Sequence, residues 1–214
     1  RGTVLREGYP RNDIFRQPAN LHLKEQVGLQ GKKLLAYLPT FRGNFNALDD
    51  QGYMQTLSQN LSLWDSQLNE DEILLIKLHP FLHGSEAFDG YRHIRAFPTD
   101  WDTYEGLNLC DVLITDYSSV CWDVLYQNKP TLFYQFDLDK YNEAHGSYID
   151  MKTDLFGDRT ETLDQLLDSL EKTIQNGFRM EPKYEKMQQE YFQFEDHEHS
   201  RHICEEIKKW MKRK

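Results

Sequence analysis

Several things are scarce in this sequence, and each scarcity narrows the reading. Its 214 residues hold three cysteines, Cys110, Cys121 and Cys204. An odd number at wide spacing makes neither a disulfide framework nor a CxxC zinc site, and it suits a reducing compartment. No run of about 18 apolar residues occurs, so no helix is expected to span a bilayer. No signal peptide is expected from this sequence, and it shows no internal repeat and no low-complexity tract. Positive charge is short, with 25 Lys and Arg against 35 Asp and Glu and a formal net charge of -10. That argues against nucleic-acid binding, which needs a basic face. The first residue is Arg1 and not Met, which reads as a piece of a longer protein. What is present is a globular composition, 39% hydrophobic, long enough to bury a sizeable core as a single domain over residues 1–214.

Short apolar runs alternate with helical patterns. Lys32–Leu38, Glu72–His79, Asp111–Thr115 and Pro130–Tyr134 are expected as strands, two of them stopped by Pro39 and Pro80. Their unbroken apolar character points to burial on both faces, hence a parallel sheet. Helices are expected over Asp49–Leu68, Trp101–Leu109 and Ser118–Gln127. After Tyr141 no further strand is expected, and Thr162–Gln175, Pro182–Tyr191 and Glu198–Lys212 read as helices. The alternation predicts an α/β fold, a Rossmann-like, doubly wound parallel sheet with flanking helices and a helical C-terminal part from about residue 160.

Ligands of such sheets sit outside the carboxyl ends of the strands. Three strand ends carry polar groups: Pro39-Thr40-Phe41-Arg42-Gly43-Asn44, Lys77-Leu78-His79-Pro80 and Thr115-Asp116-Tyr117-Ser118-Ser119. In the third, a helix begins at the serines. Ser118 or Ser119 would cap it, and its first amides and dipole would favour a phosphate. The plainer reading leaves Ser118 as a cap only, Asp116 as a turn residue and Asp123 as a solvated side chain. His79 could bind or protonate a phosphate or leaving group, or be structural. Lys77 lies two residues before it and would share its side of the strand. Arg42 and Arg11 could each fork onto a phosphate, or serve in surface ion pairs. The run Asp196-His197-Glu198-His199-Ser200-Arg201-His202 has the residue types of a metal site, but its spacing spreads the histidines around a helix. A polar helix start is the plainer reading, so no metal or other cofactor is assigned.

Taken together these segments resemble the CDP-glycerol glycerophosphotransferase family of teichoic acid synthesis. Gly8-Tyr9-Pro10-Arg11-Asn12-Asp13 is similar to its G-x-P-R-N-D segment. Tyr37-Leu38-Pro39-Thr40-Phe41-Arg42 is similar to Y-A-P-T-W-R, and Lys77-Leu78-His79-Pro80 to K-x-H-P. Asp111 to Val120, followed by Asp123, is similar to D-x-L-I-T-D-Y-S-S. Gln135-Phe136-Asp137-Leu138 resembles P-F-D-L, with Gln135 in place of Pro. Asp196 and Ser200 resemble the D-G-x-A-S-x-R ending, with His197, His199 and His202 departing from it.

The resemblance implies the C-terminal half of a GT-B-type glycosyltransferase fold, with an acceptor-side N-terminal domain outside this chain. It implies transfer of glycerol phosphate or ribitol phosphate from CDP-glycerol or CDP-ribitol to a lipid-linked polyol-phosphate acceptor, with release of CMP. On the same basis His79 is the catalytic candidate. Arg11, Thr40, Arg42, Lys77, Asp116, Ser118, Ser119 and Asp123 are substrate-binding candidates. The implied location is cytoplasmic and peripheral, at the inner face of a bacterial membrane. The basic tail Lys208-Lys209-Trp210-Met211-Lys212-Arg213-Lys214 could touch that surface, or simply suit its own helix dipole. Two other readings stay open: a sugar-nucleotide GT-B glycosyltransferase, and a non-catalytic nucleotide-binding module.

Overall fold

The structure is a computed structural model that describes residues 4–40, 47–78, 88–144, 146–194 and 196–212. A 3-10 turn at Pro10–Arg16 and a short helix α1 (Leu21–Gln26) lead into strand β1 (Lys33–Tyr37). There follow α2 (Ala47–Gln67), β2 (Glu72–Ile76), β3 (Ile94–Ala96), α3 (Thr103–Leu109) and β4 (Val112–Thr115). The chain continues through α4 (Val120–Tyr126), β5 (Thr131–Tyr134), α5 (Leu138–Ala144) and β6 (Asp158–Thr160). Three helices close it, α6 (Leu163–Gln175), α7 (Pro182–Tyr191) and α8 (His199–Met211). The strands form one six-stranded sheet in the order β3-β2-β1-β4-β5-β6, every described pairing being parallel.

The central strands form where the sequence is apolar without a break. All residues of β2, β4 and β5 are buried, so neither face meets water. Alternate side chains enter two separate cores, as the period-two pleat requires. Leu34, Ala36, Ile73, Leu75, Leu113 and Phe133 face one core, with Leu107 of α3 and Val124 and Leu125 of α4. Leu35, Tyr37, Leu74, Ile76, Ile114 and Tyr134 face the other, with Leu57, Leu61 and Trp64 of α2 and Leu166 and Leu170 of α6. The sheet therefore carries helices on both faces, the doubly wound arrangement.

The two edge strands depart from the sequence expectation. β6 lies in the stretch expected to hold no strand, and β3 was not foreseen. Each has three residues, Ile94–Ala96 and Asp158–Thr160. Three residues carry no periodicity, and an edge strand needs only one paired side, so polar residues are tolerated there. Gly157 admits β6 to the sheet: a Cβ at that position would lie 1.9 Å from the Thr131 carbonyl oxygen of β5. Beyond it Thr162 starts α6 with a reciprocal cap. Its hydroxyl accepts from the Gln165 amide at 3.3 Å, and the Gln165 side chain accepts from the Thr162 amide at 3.3 Å. β2 ends at Ile76, short of the expected His79.

Candidate functional site at the switch point of the sheet

The strand order reverses between β1 and β4, and in open sheets of this kind ligands bind at the carboxyl ends of the strands at such a point. Of the segments flagged from the sequence, the described ends of β1 and β4 meet there. The Asp116 carboxylate accepts from the Thr40 amide through both oxygens, at 2.9 and 3.1 Å, and from the Tyr117 amide at 2.5 Å. Thr115 Oγ1 donates to the Leu38 carbonyl at 2.6 Å. The loop after β1 is thereby fastened to the loop after β4. Asp116 is wholly buried, so its carboxylate shapes this turn from inside. Gln135, at the end of β5, supports it from the other side. Its amide nitrogen donates to the Asp116 carbonyl at 3.0 Å, and its oxygen accepts from Arg159 Nε at 3.0 Å. A proline at this position, as in the family pattern, could do neither.

The serines follow directly. Ser118 is half-buried and Ser119 exposed. Ser119 occupies the position before α4 but makes no side-chain cap bond, and Ser118 Oγ lies a long 3.5 Å from the Val120 amide. The expected serine cap is therefore weak. α4 has seven residues, about two turns, so the serine hydroxyls matter more here than any macrodipole.

Lys77 comes from the neighbouring strand end. Its amide donates to the Tyr37 carbonyl at 2.9 Å, and its ammonium lies 4.9 Å from the centre of the Phe97 ring. His79 and Arg42 fall outside the described residues.

Arg11 and Asp123 are brought together. Arg11 Nε donates to Asp123 Oδ1 at 3.0 Å and its Nη1 to the Tyr104 hydroxyl. The guanidinium lies between the Tyr9 and Tyr104 rings, 4.6 Å from each centroid. Asp123 is 1% exposed, which corrects the reading of it as a solvated side chain. Burial pushes its carboxyl up to about 6, against the opposing pull of Arg11. Its second oxygen, Oδ2, is buried without a partner.

The histidine run packs against the end of α4. Among the described residues no three His, Cys, Asp or Glu side chains converge on a common point. The His197 and His199 rings instead both meet the Tyr126 hydroxyl, at 3.1 Å each. The first amides of α8, those of His199 and Ser200, donate to the Asp13 carboxylate at 2.8 Å each. Gly8 lies against the same imidazole. Its φ is +78°, and a Cβ there would fall 2.1 Å from His199 Nδ1, so only glycine fits.

Sequence reasoning missed Asp13, Tyr104, Tyr126 and Gln135. Asp13 stood in a motif already singled out, and its distance along the chain from α8 hid its partner. Tyr104 carries no local mark at all.

The match to a known family takes in all the segments just described except the end of α8. The family model for CDP-glycerol:poly(glycerophosphate) glycerophosphotransferase matches residues 1–209. The chain belongs to this family. As a member, it is 29% identical over 215 residues to the teichoic acid glycerol-phosphate transferase of Staphylococcus aureus (strain NCTC 8325 / PS 47), covering 97% of this chain and 54% of that one. It is 31% identical over 192 residues to the teichoic acid poly(ribitol-phosphate) polymerase of Bacillus spizizenii (strain ATCC 23059 / NRRL B-14472 / W23), covering 81% of this chain and 29% of that one.

The solved structure of the wall teichoic acid polymerase TagF shares the fold at a TM-score of 0.76 and 27% identity, over 96% of this chain and 51% of that one. A putative UDP-N-acetylglucosamine 2-epimerase from Listeria monocytogenes is similar in fold, with a TM-score of 0.56 at 18% identity, over 97% of this chain and 54% of that one. The family member described here therefore has a Rossmann-like unit of the GT-B-type glycosyltransferase fold. It spans about half, or less, of the length of the curated relatives it matches.

Proposed function

We propose that this chain is the donor-binding, C-terminal half of an enzyme that moves glycerol phosphate, or ribitol phosphate, from a CDP-polyol to a lipid-linked polyol-phosphate acceptor. The observation that carries the reading is the polar rim at the β1–β4 switch point, built from the segments that match the family. A TagF crystal soaked with CDPG gives a structure similar to this chain, with a TM-score of 0.74 at 26% identity, over 98% of this chain and 51% of that one. This supports a CDP-polyol as the donor.

In the proposed reaction a terminal hydroxyl of the acceptor attacks the β-phosphorus of the donor. A new phosphorus–oxygen bond forms, the bond to the bridging oxygen breaks, and CMP leaves with that oxygen. Negative charge builds on both phosphates, so fixed donors and cations accelerate the step. On the family resemblance, His79 is assigned to the pyrophosphate as donor or acid, and Lys77 and Arg42 to adding positive charge. Ser118 and Ser119 give hydroxyl donors to phosphate oxygens, and Asp116 and Thr40 hold the strand ends in shape. Arg11 and Asp123, already paired, brace α4 after the serines, and Asp123 Oδ2, buried without a partner, is closed to a hydroxyl of the nucleotide or polyol as the chain stands. The base that activates the acceptor belongs to the other half.

The location follows from a lipid-linked acceptor: the cytoplasmic side, peripheral to the membrane. No described helix is long and apolar enough to cross a bilayer. α8 offers the surface contact, with Trp210 and Met211 53% and 64% exposed beside Lys208, Lys209 and Lys212. Sedimentation with anionic liposomes, with and without residues 208–214, tests this. Equal sedimentation rejects it.

Calorimetry with CDP-glycerol, CDP-ribitol, CMP and UDP-glucose tests the main reading, with His79→Ala as control. A CDP-polyol is expected to bind, and the variant to bind it roughly tenfold or more weakly, the scale of a charge-assisted hydrogen bond. Binding of UDP-glucose alone overturns the reading in favour of a glycosyltransferase.

A further inference from the structure

The 3-10 turn at Pro10–Arg16 touches two helices that no contact along the chain would join. On one side Arg11 grips Asp123 of α4, at 3.0 Å. On the other, Asp13 accepts the first two amides of α8, at 2.8 Å each. The residue at the head of α8, Glu198, makes no cap bond, its side chain being turned to Arg201 at 2.7 Å. Asp13, from the far end of the chain, supplies the missing cap. Burial pushes its carboxyl up, but the bonds from Ser200 and His199 outweigh that and hold it below the usual carboxylate range.

A second tie runs between the same helices. Tyr126, the last residue of α4, meets His199 Nε2 and His197 Nδ1 through its hydroxyl, and His199 is 1% exposed. α4 is thus held at Asp123 by the turn and at Tyr126 by the start of α8, and the turn and α8 are locked to each other by Asp13. A seven-residue helix has little stability of its own. Its place is set by what grips it, and Ser118 and Ser119 stand immediately before it.

We infer that Asp13 is a positioning residue for the donor site. It touches no ligand. By pinning α8 to the turn that carries Arg11, it fixes α4 and therefore the direction in which Ser118 and Ser119 present their hydroxyls. The inference rests on the donor reading given above for its ligand, but not for its mechanics.

Two measurements on the chain test it, each with Asp13→Ala, Asp13→Asn and a remote core variant, Leu170→Ala. The first is amide hydrogen exchange. Asp13→Ala is expected to speed exchange in Val120–Tyr126 as well as in α8, while α6 is unchanged. The second is CDP-glycerol affinity. Asp13→Ala is expected to weaken it roughly three- to tenfold, the range the loss of one cap allows. Asp13→Asn, which keeps one of the two accepting oxygens, recovers part of it. Leu170→Ala, although less stable, binds as the wild type.

Faster exchange in α8 alone, with α4 and the affinity at wild-type values, makes Asp13 an ordinary cap and overturns the inference. So does equal weakening by Leu170→Ala, which would be general destabilisation. If the wild-type chain does not bind CDP-glycerol, the donor reading falls, and the exchange of α4 decides the positioning role alone.

Discussion

The two faces of the sheet are covered in different ways. On one, α2 and α6 lie on Leu57, Leu61, Trp64, Leu166 and Leu170 against the strands. Trp64 meets the Tyr37 ring edge-on at 4.9 Å. On the other face, α4 packs Val124 and Leu125 inward but is also fastened by a buried carboxylate, a sandwiched arginine and a tyrosine between two histidines. Apolar packing is strong and tolerant: it holds a long helix down without fixing it to a fraction of an ångström. Polar ties are directional, and costly when half-made. They are found on the helix that follows the serines, where direction matters.

The comparison can be broken by single substitutions. The largest effect is expected on the apolar face. Leu61→Ala should cost about 3 kcal/mol of stability in a denaturant melt and leave CDP-glycerol affinity unchanged in the folded protein. A matching loss of affinity would show that both faces position the site.

The next effect is on the polar face, and it depends on pH. Asp123 titrates at about 6 in the fold, against an ordinary 3.8. The folded state thus holds this proton more tightly than the unfolded chain does. The sign follows: stability from this group is fully present below the unfolded value and is lost as pH rises through the folded one. Wild type should therefore lose on the order of 2 kcal/mol relative to Asp123→Asn between about pH 4 and pH 6.5. Parallel curves for the two proteins would mean that the Arg11 pair fully offsets burial. Asp13, held below its ordinary range, has the opposite sign. Its contribution is present above the unfolded value and is lost as pH falls through the lower folded one.

The smallest effect is at the cap of α6, remote from the site. Thr162→Ala should cost about 1 kcal/mol by thermal melt, with affinity untouched, which sharpens the contrast with Asp13→Ala at a cap of the same kind.

The centre of the sheet was legible because its strands state their environment locally. Leu34 to Tyr37 and Val112 to Ile114 are apolar at every position, which only two-sided burial explains. The polar strand ends were legible for the same reason, each following such a run. The edges were not. Asp158-Arg159-Thr160 pairs with β5 because Gly157 allows the approach, and no periodicity in three polar residues announces that.

The sequence by itself therefore determined the fold class and the family. Local pattern and motif order are short-range information, and these depend on little else. Only the tertiary structure decided what the motif residues do to one another. Arg11 is committed to Asp123, Asp116 to the Thr40 amide, and Asp13 to a helix 186 positions away. Such pairings are settled by burial, because a charge removed from water must find its partner wherever the fold has put one.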